Sequence, residues 1–277
     1  MKLRRTVNTS LLLMVVSFMT LSCSTGTKRN GGHELLNGVL WMEHAAEYRA
    51  LARQAYRTAS RMLPLALKDS SWTAAPEQTA HYRSLPPAVI LDVDETVLNN
   101  APYEARLIKT GQSYSRASWN AWCREARAKA IPGAVEFCKF AVRNGVEVFF
   151  VTNRREELRQ ATFANLKKEG FPLQPDGSTL IMRTGSGDKG ERRAKLAQKY
   201  RILLLIGDSG GDFASGFSHS AEPQRNRLVK QYREYWGSKW IVLPNPSYGD
   251  WEGALYDYRY DLNRQQKLRE KMKKLED

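Results

Sequence analysis

The chain has 277 residues, of which 42% are hydrophobic and 26% are charged. These proportions exclude a chain that is disordered throughout, and the length suits one large domain or one domain with a small cap. The formal net charge of +14 favours anionic partners such as phosphate esters, lipid head groups or acidic polymers, although a basic, solvated surface is the alternative. Basic runs interleaved with aromatic residues are missing from the sequence, so we predict no nucleic acid polymer as partner.

The N-terminus has the pattern of an export signal. Residues 1–22 contain three basic residues and no acidic residue, and an apolar run from Leu11 to Leu21 is too short to span a bilayer comfortably. Cys23 follows Ser22 in a context that resembles the lipobox of bacterial lipoproteins, although Thr20 departs from that pattern. We therefore predict a signal peptide over residues 1–22 and acylation of Cys23. Two or more acyl chains would anchor the exported protein stably to a membrane.

Two further cysteines, Cys123 and Cys138, leave a disulfide conceivable in an oxidising compartment. The chain has only four histidines and no pair of cysteines or histidines at metal-ligand spacing, so a zinc site is not predicted. The oligomeric state stays open, and a homo-oligomer is compatible with the sequence.

Helical and apolar segments alternate along most of the chain. Apolar residues at helical spacing predict one long helix or two from Glu34 to Leu67, and residues 68–87 read as a loop. Helical, aromatic-rich sequence runs from Ala101 to Ala130, and the basic tail from Asn263 to Lys274 is also predicted to be helical. Further helices are predicted up to Asn144, up to Glu169 and over Glu191–Tyr200, and the strand candidates are residues 88–91, 146–151, 179–182, 202–206 and 240–243.

This alternation predicts an α/β fold with a parallel sheet that helices cover on both faces. Ligands of such sheets bind beyond the carboxyl ends of the strands. Polar residues stand at or near several of those ends, and their convergence is the main indication of a functional site. They are Asp92, Asp94, Thr152, Lys189, Asp208 and Asp212.

Carboxylates in this arrangement suit phosphoryl transfer assisted by Mg²⁺. Asp92, Asp94 and Asp208 would form a site of hard oxygen ligands. Asp92 would attack phosphorus to form an aspartyl-phosphate, and Asp94 would protonate the leaving oxygen and then accept a proton from water. Thr152 and Lys189 would bind the phosphoryl oxygens. An acidic pH optimum follows from the expectation that negative charge around Asp94 helps it to hold its proton.

The order of these residues resembles a known family, whereas a lone pair of aspartates after a strand is more often a turn or a helix cap. The runs Asp92–Asn100, with Tyr103, and Gly207–Phe213 resemble the two signatures of class C bacterial acid phosphatases, which belong to the haloacid-dehalogenase (HAD) superfamily. The resemblance covers nearly all of the chain after residue 33. Other matching segments are Trp41, Glu47-Tyr48, Ala55-Tyr56, Ile131–Phe137, Val151–Arg154 and Leu243–Gly249.

The resemblance implies a Rossmann-like HAD core with a parallel sheet and a smaller, mostly helical second domain. It implies hydrolysis of phosphomonoesters, by resemblance nucleoside monophosphates, with Mg²⁺ as cofactor. It also implies that the lipid anchor holds the protein at the bacterial outer membrane, facing the periplasm or the cell surface. The implied division is a signal peptide (1–22), a lipidated Cys23 with a tether (23–33) and an acid phosphatase domain (34–277), whose core covers about 85–100 and 131–250 and whose second domain covers about 34–80, 101–130 and the tail.

The resemblance also implies a role for each site residue. Asp92 is the nucleophile, Asp94 is the acid/base and a metal ligand through its backbone carbonyl, and Asp208 is the third protein ligand of the metal. Stacking between two aromatic rings would bind the base of the substrate, although core packing is the alternative for these rings. The remaining implied residues are Asp212 for the water shell of the metal, Thr152, Asn153 and Lys189 for the phosphate, and Trp119 and Tyr248 for the base.

One segment departs from the family pattern. Ser209-Gly210-Gly211 replaces the usual residues of the second signature, and two glycines are expected to loosen this loop and weaken the metal site. The basic stretch from Arg225 to Arg233 supports no interpretation.

Two other functions are compatible with the same residues. A surface lipoprotein could bind nucleotides or a polyanion without catalysis, but the intact set of Asp92, Asp94, Lys189 and Asp208 argues against it. A phosphotransferase would need the same residues, so the sequence does not separate it from a hydrolase.

Overall fold

A five-stranded parallel sheet forms the centre of the computed structural model, which describes residues 33–276. Every strand pair in it is parallel. The predicted α/β fold is therefore confirmed, and each strand candidate lies within a few residues of an observed strand. In spatial order the strands are Leu180–Arg183 (β5), Glu147–Arg155 (β4), Pro87–Leu91 (β1), Arg201–Gly207 (β6) and Trp240–Val242 (β7).

The central strand β1 is apolar throughout because it is buried on both faces. Val89 and Leu91 pack into one hydrophobic core, whereas Ala88 and Ile90 pack into a second core on the opposite face. This is the alternation that a strand imposes on successive side chains. Helices that cover both faces of a sheet leave the ends of its strands open to a ligand. The candidate site therefore lies in the loops that follow the carboxyl ends of the strands.

Ten α-helices surround the sheet within the described residues. The predicted N-terminal helical region consists of two helices, because Ala45 adopts an extended conformation between them. The helices are Leu36–His44 (α1), Ala46–Lys68 (α2), Ala101–Thr110 (α3), Arg116–Arg124 (α4), Ala134–Arg143 (α5), Arg159–Glu169 (α6), Gly190–Ala197 (α7), Glu222–Gln231 (α8), Asp250–Leu255 (α9) and Arg264–Met272 (α10).

The region predicted as helical from Ala101 to Ala130 differs in detail. Gly111 ends α3 in a left-handed conformation, and the Ser115 side chain caps the start of α4. After α4, Lys129–Ala130 (β3) pairs antiparallel with Leu98–Asn99 (β2), a small sheet that the sequence analysis did not predict. The uninterpreted basic stretch forms most of α8.

Cys123 and Cys138 are both buried and both free, so the conceivable disulfide does not form between them. The predicted signal peptide, Cys23 and nearly all of the tether lie outside the described residues. Within residues 33–276, no helix is long and apolar enough to cross a membrane. The division into domains stays a prediction.

Glu104 is a carboxyl group on α3 that is buried, with 6% of its surface exposed. Burial, with a smaller contribution from Glu252, raises the pKa of Glu104 to about 7. A raised pKa in the folded state means that the ionised form destabilises the fold. This cost is absent below the ordinary pKa of a glutamate. It grows as the pH rises from that value towards the raised pKa, and it is fully present above about pH 7.

We therefore expect Glu104→Gln to raise the free energy of unfolding at pH 8 by about 2–3 kcal/mol and to change it little at pH 4.5. Urea denaturation at the two pH values measures the difference. Glu234→Gln, at a side chain that is 84% exposed, is the matched control. An equal effect of Glu104→Gln at both pH values would contradict the linkage.

Candidate active site

Three carboxylates meet at the carboxyl edge of the sheet. Asp92 follows β1, Asp208 follows β6, and Asp212 lies in a short 3-10 helix, Gly210–Asp212. One carboxylate oxygen of each lies within 4.8 Å of one oxygen of the other two. The amide of Asp92 donates to the carbonyl of Ile206, at 2.9 Å, so the ladder between β1 and β6 continues up to the site. Strand pairing thus fixes where the first two carboxylates stand.

Lys189 at the start of α7 places a buried ammonium among these carboxylates. Its Nζ donates to Asp92 and lies 2.7 Å from Oδ1 of Asp212. Burial raises the pKa of Asp92, and Lys189 offsets only part of this effect. Burial likewise raises the pKa of Asp208, with Asp212 and Asp92 acting in the same direction. A buried excess of carboxylates over cations is the situation in which proteins bind a metal ion.

Two neutral donors orient the carboxylate of Asp208. Thr96 Oγ1 donates to Oδ1 at 3.3 Å, and Asn245 Nδ2 donates to Oδ2 at 2.9 Å. The sequence analysis gave Asn245 no role, although it lies in the segment Leu243–Gly249 that matched the family. This amide fixes the direction in which Asp208 presents its oxygens without adding charge.

Asp94 binds a different partner. Arg154, whose side chain is 1% exposed, donates to Oδ1 of Asp94 from Nε at 3.0 Å and from Nη2 at 2.8 Å. Asn100 donates to the same oxygen at 2.9 Å. Only negative charge was expected around Asp94, and the buried guanidinium of Arg154 corrects that expectation. Arg154 had no assigned role because only the folded sheet brings it to Asp94.

The predicted phosphate-binding residues on β4 lie at the same edge. β4 pairs with β1 in the register Leu91↔Phe150, so Thr152 stands beside the turn that carries Asp92. The fully buried Oγ1 of Thr152 accepts a hydrogen bond from the amide of Arg154 at 3.1 Å, and its own proton is left for another acceptor. Arg192, which the sequence analysis missed, donates to the carbonyl of Thr152 and to Oδ1 of Asn153, each at 2.6 Å.

The two predicted aromatic residues border this edge from different elements. Trp119 on α4 packs edge-on against Tyr103, and the guanidinium of Arg154 lies 5.6 Å from the centroid of the Trp119 ring. Tyr248 donates from its hydroxyl to Glu95, the residue that follows Asp94. Both rings are partly exposed, and both are linked through one residue to Asp94.

The loop after Asp208 is tightly held. Ser209 and Asp212 cap the short helix reciprocally, and the fully buried Arg193 donates to the carbonyls of Gly211 and Asp212 at 3.0 and 3.1 Å. A Cβ atom at Gly210 would lie 2.4 Å from the ring of Phe217. The expectation that the two glycines loosen this loop is therefore wrong, because they allow the backbone to approach its neighbours closely.

Gly210→Ala should lower the free energy of unfolding by about 1–3 kcal/mol, because the added methyl group must displace a buried ring. Thermal or urea denaturation measures the change. Gly185→Ala is the matched control, since a Cβ atom there meets no atom within 4 Å. If both variants unfolded like the parent chain, the close packing around Gly210 would be disproved.

Known proteins that resemble this chain in sequence and in structure identify its family. The sequence profile of the HAD superfamily, subfamily IIIB (acid phosphatase), matches residues 32–251. The structure of the class C acid phosphatase from Bacillus anthracis is 34% identical, with a TM-score of 0.78 over 88% of this chain and 97% of that chain. A second structure of this class from the same organism, with tungstate bound, is 33% identical and has a TM-score of 0.77.

More distant relatives match part of their length. Acid phosphatase 1 of Solanum lycopersicum is 30% identical over 168 residues, and the chain spans 57% of that protein. The class B acid phosphatase of Morganella morganii is 21% identical over 154 residues, which are 64% of its length. The resemblance to class C acid phosphatases is confirmed, and the chain belongs to the HAD superfamily, subfamily IIIB, the acid phosphatases.

Proposed function

We propose that this chain is a Mg²⁺-dependent acid phosphatase that hydrolyses phosphomonoesters with Asp92 as nucleophile. The observation that carries this proposal is the buried cluster of Asp92, Asp208 and Asp212 around Lys189 at the carboxyl edge of the sheet. Membership of the acid phosphatase family supports the reaction class.

The donor set of the cluster fits a divalent cation. Its carboxylate oxygens are the hard ligands that Mg²⁺ prefers. Among residues 33–276, the Lys189 ammonium contacts two of the three carboxylates, and burial of the cluster favours a further positive charge. Asp92 and Asp208, with the backbone carbonyl of Asp94, would hold the ion, and Asp212 would bind its water shell. When bound, the ion would neutralise charge on the phosphoryl oxygens and keep Asp92 ionised.

The proposed reaction has two steps, transfer of the phosphoryl group to Asp92 and hydrolysis of the resulting aspartyl-phosphate. Asp92 attacks phosphorus, a bond forms between its oxygen and phosphorus, and the bond from phosphorus to the ester oxygen breaks. Asp94 donates its proton to the departing oxygen and then accepts a proton from the water that hydrolyses the aspartyl-phosphate. Lys189 and the hydroxyl of Thr152 stabilise the charge on the transferring group, and Asn153, held by Arg192, binds it from the side.

Nucleoside monophosphates are the proposed substrates. Trp119 and Tyr248 are partly exposed aromatic rings, one beside the guanidinium of Arg154 and the other hydrogen-bonded to Glu95, and a nucleobase can stack on either. Because every base has a π face, such binding tolerates different bases.

Export and lipid anchoring through Cys23 complete the proposal. The basic and apolar segments before Cys23 support export, and the lipobox-like context supports acylation at that residue. Cys23→Ser should shift the protein from the membrane fraction to the soluble fraction of its host.

The main test is phosphate release from a nucleoside monophosphate by the chain lacking residues 1–23, from pH 4.5 to 8, with Mg²⁺ and with EDTA. We expect turnover that requires the metal, and membership of the acid phosphatase family supports faster turnover at acidic pH. Asp92→Asn should reduce kcat by at least about a thousandfold, since it removes the nucleophile. Glu234→Gln, far from the cluster in sequence and exposed, should leave kcat unchanged.

Three results would change the proposal. Metal-dependent binding of the nucleotide without phosphate release, in a folded protein, would favour the non-catalytic lipoprotein. Loss of free phosphate when an acceptor alcohol is added would favour a phosphotransferase. Activity that survives Asp92→Asn would remove Asp92 from the mechanism.

Arg154 is expected to position Asp94 for proton transfer. Arg154→Met removes every hydrogen bond from that guanidinium, so kcat should fall by about 10² while KM changes little. Arg154→Lys keeps the charge but loses the forked geometry, and it should recover only part of kcat. The control is Arg143→Met, at an exposed residue of α5. Melting temperatures separate lost positioning from lost stability, and a change confined to KM would contradict the positioning role.

A further inference from the structure

The C-terminal helix α10 leaves a row of apolar side chains in solvent. Leu268 and Met272, which lie four residues apart on α10, and Leu275, three residues beyond its end, are 45%, 59% and 68% exposed. None of the residues of α10 is buried. A soluble surface does not require these residues to be apolar, so the row points to a binding partner.

Polar contacts hold this helix in one position. Lys271 Nζ lies 2.5 Å from a carboxylate oxygen of Glu34 and 2.5 Å from one of Glu252. Lys267 Nζ lies 5.2 Å from the ring centroid of Tyr256. These contacts join α10 to the start of α1 and to α9, and they leave the apolar row uncovered by any described residue.

Exposed apolar residues concentrate in the segments that Lys271 joins. Thirteen large apolar side chains are exposed among the described residues, and seven of them belong to α1, to α9 or to the chain from residue 260 onward. These seven are Leu36, Leu40, Trp251, Tyr260, Leu268, Met272 and Leu275. We name the last three, which form the apolar row, the terminal patch.

The charge of this region selects among the partners that could cover the patch. Residues 259–276 contain seven basic and three acidic side chains. A second copy of the chain in a twofold interface would bring two such basic segments together, which is unfavourable. An anionic lipid surface complements both properties, since apolar side chains enter the head-group region while lysines and arginines bind the head groups.

From the exposed apolar row, the basic residues that flank it and the contact of Lys271 with Glu34, we propose that the terminal patch rests on an anionic membrane surface. It would act as a peripheral attachment in addition to the proposed acyl anchor on Cys23, and it would set the orientation of the folded domain. This attachment does not depend on catalysis, so the proposed phosphatase activity and this proposal succeed or fail separately.

The test uses the unacylated chain from Ser24, which retains all three hydrophobic cores of the described residues. Its binding to phosphatidylglycerol–phosphatidylcholine vesicles and to pure phosphatidylcholine vesicles is measured by co-sedimentation. We expect binding to the anionic vesicles that weakens between 50 and 500 mM NaCl, because salt screens exposed charges.

Leu268→Gln, Met272→Gln and Leu275→Gln together should reduce the partition coefficient by about tenfold or more. Arg269→Gln, Lys273→Gln and Lys274→Gln together should remove most of the salt dependence. The matched control replaces the exposed Leu51, Leu65 and Val142 with glutamine and should bind like the parent chain. Melting temperature and phosphate release should stay unchanged in all three variants.

Failure of the parent chain to bind anionic vesicles would overturn the proposal, as would binding that the first variant leaves intact. A self-associating parent chain that becomes monomeric in the first variant, without any vesicle binding, would show instead that the patch is an interface between copies.

Discussion

One buried ammonium that contacts two of three clustered carboxylates is the constraint on which the site depends. Lys189 contacts Asp92 and Asp212, and burial raises the pKa of both Asp92 and Asp208. Removing or displacing the lysine would leave carboxylates buried without compensation, which is a large cost. The surrounding structure therefore holds the cluster from several directions at once: the sheet fixes the carboxylates, the amide of Asn245 orients Asp208, and Arg193 binds the backbone beside Asp212.

The same turn gives its two aspartates separate electrostatic environments. Asp92 belongs to the carboxylate cluster with Lys189, whereas Asp94 binds Arg154 and Asn100. Two residues that are close in sequence thus have different partners, and this separation allows them to have different roles. The buried guanidinium of Arg154 also means that β4, and not the carboxylates alone, determines the charge next to Asp94.

Apolar strands that end in carboxylates could be read from the sequence, because burial on both faces leaves a continuous apolar run. The small sheet of β2 and β3 could not be predicted from the sequence, since a strand of two residues is too short to show an alternation of apolar and polar residues. Arg154, Arg192 and Arg193 were missed because their partners are distant in sequence. The error at Gly210-Gly211 has another cause: glycine serves both flexible and closely packed backbone, and only the position of Phe217 tells which applies.

The order of the strands determines when during synthesis the site can exist. β1 is made early but lies between β4 and β6, and Lys189 follows Asp92 by 97 residues. A chain still emerging from the ribosome carries the first signature long before its partners, and pairing over such separations is slow. A truncated product that ends before Asn245 would contain both signatures and still lack the amide that orients Asp208, so the length of a fragment, more than its motifs, decides whether the carboxylate cluster is complete with its orienting partner.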